Sequence, residues 1–259
     1  MLHINIENDF INWRLAARKL LHANVAPDEI LWSSGAESEL FQSDKIPESA
    51  KQNLVVPKEF LEVARMAACF DSMDKWAGLY RVLFRLVHET RNLLEIESDP
   101  DVRQILLMRK AVKRDIHKFH AFVRFRTIES EDGEIYVAWH EPHHNTVELS
   151  VPFFVRRFGS MRWSILTPRG CAHWDLKDLT FSPAVSKDQA PKDDITEDFW
   201  LTYYKSIFNP FRLKVKMMKK EMPVRHWHTL PEAQLIPELI RKGRELTPAL
   251  KEENTREIS

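Results

Sequence analysis

Residues 111–126 read AVKRDIHKFHAFVRFR, and where this stretch is divided decides the fold. Up to Phe119 the apolar positions recur at helical spacing, with Ile105, Val112, Ile116 and Phe119 on one side. From Phe119 the period becomes two, so that Ala121, Val123 and Phe125 alternate with Phe122, Arg124 and Arg126. The pattern predicts a helix running directly into a strand.

The next segments supply partners for that strand. HAFVRFRTI and EIYVAWHE flank SEDG, which predicts a β-hairpin with Asp132-Gly133 in its loop. A helix over about Val147 to Phe158 follows, and RWSILT and CAHWD then flank PRG as a second hairpin. Strand, strand, helix, strand, strand is the order of an α+β fold, a small antiparallel sheet with helices on one face.

Upstream, HINIE alternates as a short strand, and Asn8 or Asp9 caps a helix that ends near His22. Residues 33–53 read as a long exposed loop. Helices follow in VVPKEFLEVARMAACF, in MDKWAGLYRVLFRLVHETRNLL and in DPDVRQILLMRKAVKRDIHKF, the last opening at Asp99-Pro100. Downstream, a polar linker over 182–194 leads to helices in ITEDFWLTYYKSIF, PFRLKVKMMKKEM and LPEAQLIPELIRKGREL. The expected organisation is a mainly helical region, 1–98, and an α+β region with C-terminal helices, 99–259, packed as one compact unit.

Composition narrows the class. The chain has 259 residues, 44% hydrophobic and 29% charged, enough to bury a sizeable core. Arg81 and Arg85 break the most apolar stretch, so nothing approaches the roughly 20 apolar residues of a membrane span. MLHINIEND has no basic segment followed by an apolar one, so a cytoplasmic location is expected. Cys69 and Cys171 form neither a disulfide framework nor a CxxC pair, which suits a reducing compartment. Six glycines leave no Walker loop, no GxGxxG and no GxSxG, and no cofactor is implied.

A formal net charge of zero hides an uneven distribution. Between Arg109 and Arg126 seven cations face the single carboxylate of Asp115, and between Arg212 and Arg225 six face only Glu221. Lys110, Lys113, Arg114 and His117 fall on one helical stripe, with Lys118 beside it. If Arg124, Arg126, Tyr136, His140, Ser164 and His173 share a sheet face, cations and an aromatic interleave there as in sheets that bind nucleic acid. The same cations also suit a solvated helix end that complements the helix dipole.

The histidines form loose groups: His117 with His120, HEPHH at 140–144, His173 with Asp175, and RHWH at 225–228. None has a known metal-ligand spacing, and Pro142 excludes the helical HExxH of zinc proteases, so no metal site is expected. Glu141 beside His144, or His117, permits general acid or base catalysis. Trp163 and Trp174 read as core residues rather than a base-stacking platform.

AVKRDIHKFHAFVRFR, VAWHEPHH, VPFFVRRFGSMRWSILTP, AHWD, YYKSIFNPFRLKVKMMKKEMP and LPEAQLIPELI resemble, in that order, an uncharacterised bacterial family labelled by a link to DNA metabolism. NWRLAARKLL, LYRVLFRL and DPDV resemble its leader region, so the resemblance covers nearly the whole chain. Membership implies a setting in DNA repair or modification. Relatives of the domain occur fused ahead of a uracil-DNA glycosylase domain, or stand alone beside a radical-SAM protein. This chain resembles the stand-alone form, and no glycosylase residue carries over. Arg156 and Arg157 lie in the signature and join the expected phosphate contacts.

The leading expectation is therefore an accessory protein that binds DNA through Lys110, Lys113, Arg114, Lys118, Arg124, Arg126, Arg156 and Arg157, with a radical-SAM or glycosylase partner and no membrane. The first rival is an enzyme acting on DNA or a damaged nucleotide, with His117, Glu141 and His144 as its chemical groups. The second is a protein adaptor for the radical-SAM partner.

Overall fold

The computed structural model describes residues 1–34, 43–48, 54–130, 133–187 and 219–241 apart from 221, 231, 232, 234 and 239. The chain divides into two units, Met1–His117 with His143–Thr146, and Lys118–Pro142 with Val147–Ser259.

The first unit opens with β1 (Leu2–Ile6), α1 (Phe10–His22) and β2 (Ile30–Ser34). β1 and β2 pair in parallel, Leu2 opposite Ile30 and Ile6 opposite Ser34, with α1 as the crossover. Asp9 caps α1 as expected, its carboxylate accepting the N–H groups of Ile11 and Asn12. The start of the expected 33–53 loop is thus the end of a strand. Then come α2 (Lys58–Ala67), α3 (Lys75–His88) and α4 (Pro100–Phe122). Trp13, Phe60, Trp76, Leu79 and Tyr80 are fully buried among these elements. Burying each such side chain contributes about 1.5–3 kcal/mol. The polar ends of two of them are satisfied inside: Trp13 Nε1–H donates to the carbonyl of Trp76 and the Tyr80 hydroxyl to that of Val25.

Asp99 starts α4 by accepting the N–H groups of Asp101 and Val102. Arg85 from α3 grips Asp99 at 2.7 Å and Asp101 at 3.0 Å, and Arg81 reaches Asp101 at 3.0 Å. The Arg85 hydrogen bond is the main influence holding the Asp99 carboxyl below its ordinary value, against partial burial.

The second unit holds a five-stranded sheet in chain order: β3 (Arg126–Ser130), β4 (Gly133–Trp139), β5 (Trp163–Leu166), β6 (Cys171–Trp174) and β7 (Leu179–Ser182). The α+β class and the strand, strand, helix, strand, strand order hold. Between β4 and β5 the chain passes through α5 (Val147–Arg157), and these two strands run parallel while every other pair is antiparallel. A helical crossover returns the chain to the end where it began, which an antiparallel neighbour does not need. β7 adds an edge strand beyond the expected hairpin. One face of the sheet packs Ala138, Trp163, Ile165 and Ala172 against Val147, Val151 and Phe154 of α5.

The helix-to-strand change lies later than the sequence period indicates. α4 continues to Phe122 and β3 starts at Arg126, so residues 119–122 are helical. Phe119 packs on Phe154, and His120 bonds the carbonyl of Ser150 through Nε2 at 3.0 Å while stacking on Phe153. These contacts outweigh the strand preference of the aromatic residues Phe119 and Phe122. The helix expected over 195–208, and most of that over 210–222, lies outside the described residues.

Candidate functional site

α4 sorts its residues sharply. Ile105, Met108, Val112, Asp115, Phe119 and Phe122 form one buried stripe at alternating spacings of three and four. Lys110, Lys113, Arg114 and His117 are exposed away from it. Asp115 is the exception in chemistry: a carboxylate only 3% exposed on an otherwise apolar stripe. A buried charge is tolerated only with strong partners, and Asp115 accepts three hydrogen bonds. The donors are the N–H groups of His143 and His144, at 3.1 and 3.0 Å, and the Thr146 hydroxyl at 3.1 Å.

The same short segment is tied down a second time. His144 Nδ1 accepts the N–H of Asp71 at 3.2 Å, which places the ring proton on Nε2, and its ring lies 4.5 Å from that of Phe70. The N–H of Asn145 donates to the carbonyl of Cys69. Close by in sequence, Lys75 is 1% exposed, donates to the carbonyl of Phe70 at 3.0 Å and lies over the Trp76 ring.

In the second unit, Glu141 accepts the indole N–H of Trp139 at 2.9 Å and pairs with His228 Nε2 at 3.2 Å. Burial pushes its carboxyl up, but the bonds from Trp139 and His228, with the charges of His228 and Lys187, outweigh that and hold it below the ordinary value. Glu141 is therefore an ionised acceptor at neutral pH, not a proton donor. His140 is fully buried, 4.4 Å from the Phe119 ring and 5.7 Å from the His226 ring, nearly parallel to the latter.

The expected residues thus separate. Lys110, Lys113, Arg114 and His117 share the outer face of α4. Lys118 is half-buried with its ammonium 6.0 Å from the Phe122 ring. Arg124 turns back to cap α4, donating to the carbonyls of Ala121 and Val123. Arg156 and Arg157 are exposed in the last turn of α5, and Arg157 lies over Phe158. His117 and His144 belong to the first unit and Glu141 to the second.

The sheet face also divides. The pairs Arg126–Val137, Val137–Ser164, Ser164–His173 and His173–Thr180 place Arg126, Ser164 and His173 on one face. Tyr136 pairs with Trp163 on the other, Arg124 precedes β3, and His140 follows β4 and is buried. Trp163 and Trp174 both pack in the core of this unit. The role of Asp115 had one sequence signal: it occupies a position of the α4 apolar stripe between Val112 and Phe119.

Among the described residues, no three His, Cys, Asp or Glu side chains group closely enough to hold a metal ion. Among them, no helix is long and apolar enough to cross a membrane. No curated protein and no solved structure matches the chain. The family model for a domain of unknown function, DUF4130, matches residues 73–232, which include α3, α4, the histidine segment and the whole five-stranded sheet. The chain belongs to the DUF4130 family.

Proposed function

We propose that this chain is an accessory protein of DNA repair or modification that binds nucleic-acid phosphate through the exposed face of α4. One observation carries the reading. The single carboxylate between Arg109 and Arg126 is turned inward and consumed by three donors, so Lys110, Lys113 and Arg114 stand at the surface without it. Among the described residues none of these three cations forms an ion pair. A cationic stripe with its local acid withdrawn is the electrostatic footprint of a phosphate-binding surface. It supplies affinity with little sequence preference.

The resemblance to the DNA-metabolism family supports the setting. A cytoplasmic radical-SAM protein or a glycosylase is the partner this reading expects, with the chain holding DNA while the partner does chemistry.

Filter retention of the full chain on duplex and single-stranded DNA over a salt series tests the proposal. Three phosphates neutralised by Lys110, Lys113 and Arg114 give a log–log slope of about −3 on duplex. No retention at low salt, or retention indifferent to salt, removes the reading.

A further inference from the structure

His173 lies on β6 with a serine on either side. Its Nδ1 is 2.8 Å from the Ser164 hydroxyl on β5, and its Nε2 is 2.8 Å from the Ser182 hydroxyl on β7. All three side chains are half-buried on the sheet face opposite α5. Burial pushes the imidazole below its ordinary value, so at neutral pH the ring is uncharged, with one nitrogen that donates and one that accepts. With the proton on Nε2, His173 donates to Ser182, and its Nδ1 lone pair receives the Ser164 proton. That is a nucleophile, a base and an orienting group in the order acyl- and phosphoryl-transfer enzymes use, and it is built on three neighbouring strands.

We propose that Ser164 is a nucleophile toward a phosphoric diester, with His173 as its general base and Ser182 as a positioning residue. Ser164 is favoured over Ser182 because its cross-strand row contains Arg126, across Val137. A guanidinium has five N–H donors, so Arg126 can bind a phosphate oxygen while keeping another partner. Among the described residues Ser182 ends the last strand of the sheet, with no such row beyond it.

In the reaction, Ser164 Oγ attacks phosphorus as its proton passes to His173 Nδ1. The Oγ–P bond forms and one bridging P–O bond breaks. The His173 proton then goes to the departing alkoxide, which leaves as an alcohol. Water attacking the seryl phosphodiester, with His173 taking its proton and returning it to Oγ, restores the enzyme. No oxidant, reductant or metal enters the balance. The choice of a phosphoric diester rests on the phosphate-binding reading above, whereas the nucleophile rests on geometry alone.

The test uses an alkyl fluorophosphonate probe on the full chain, read by peptide mass spectrometry. Attack on it forms the same Oγ–P bond, expels fluoride and sends the proton to His173. A single adduct at Ser164 is expected. It should disappear in both Ser164→Ala and the near-isosteric Ser164→Cys, and form at least about 100-fold more slowly in His173→Gln, the usual worth of a general base. Ser182→Ala should keep the adduct but shift the pH profile of labelling, which a purely structural serine would not do. Circular dichroism checks that each variant folds. No adduct on the folded wild type, or an equal rate in folded His173→Gln, overturns the proposal. DNA retention measured on the same samples separates the two ideas: labelling without retention leaves the nucleophile standing and removes the phosphate-binding function, and retention without labelling does the reverse.

Discussion

The carboxylate of Asp115 accepts the main-chain N–H of His144 from 29 residues away, at 3.0 Å. With the bonds from His143 and Thr146 it makes the one acid between Arg109 and Arg126 a structural anchor rather than a surface charge.

Asp115→Ala should cost the fold about 3 kcal/mol, because bonds to a charged acceptor are lost and three donors, the Thr146 hydroxyl buried and the two main-chain N–H groups partly so, are left without it. Asp115→Asn keeps part of the acceptor and should cost less. Urea denaturation reads both as falls in midpoint. An unchanged midpoint in Asp115→Ala would show that the anchor is dispensable.

Charge reversal at the surface should act on binding alone. Lys113→Glu with Arg114→Glu removes two cations and adds two repelling anions, so DNA retention should fall by more than tenfold and the salt slope should flatten. The unfolding free energy in urea should stay within about 0.5 kcal/mol of wild type, since both side chains are exposed.

The Arg85–Asp99 pair fixes a direction for acid unfolding. Asp99 has its folded value held below 3.8, so the unfolded chain binds its proton more readily. The stabilisation is complete above about that ordinary value and is lost as pH falls through the lower folded one. Arg85→Ala should flatten stability against pH in this window, measured by urea titration between pH 5 and pH 2.

His173 acts in a higher window with the same sign. Its folded value lies below 6.5, so the unfolded imidazole protonates first, and stability should decline as pH drops below about 6.5. That component should vanish in His173→Gln. The His173 ring signals in NMR should titrate below those of a free histidine, and a titration at or above 6.5 would contradict the burial of the ring.

Much of the architecture was legible because local chemistry agreed with it. Asp9 and Asp99 announced their helices, and the alternation on either side of SEDG announced the antiparallel β3–β4 pair, in which Gly133 is the first residue of β4 rather than part of the loop. What local pattern could not carry was decided at a distance. ILWS alternates no better than many loops, and becomes β2 only by pairing with β1, 28 residues earlier. A period of two cannot state strand direction, so the parallel β4–β5 pair was hidden in the crossover through α5. FHAF stayed helical because Ser150, Phe153 and Phe154 hold it so. For the site, helical spacing alone put Lys110, Lys113, Arg114 and His117 together. The Ser164–His173–Ser182 set needed strand register, and the partner of Glu141 needed His228, 87 residues away in sequence.

The placement of His143–Thr146 within the first unit also orders events during synthesis. Those four residues emerge only after β3 and β4 have been made, so a nascent chain stopped before them holds Asp115 without its three donors. The amino-terminal unit therefore cannot reach its final stability as a cotranslational intermediate until the chain has been made through Thr146.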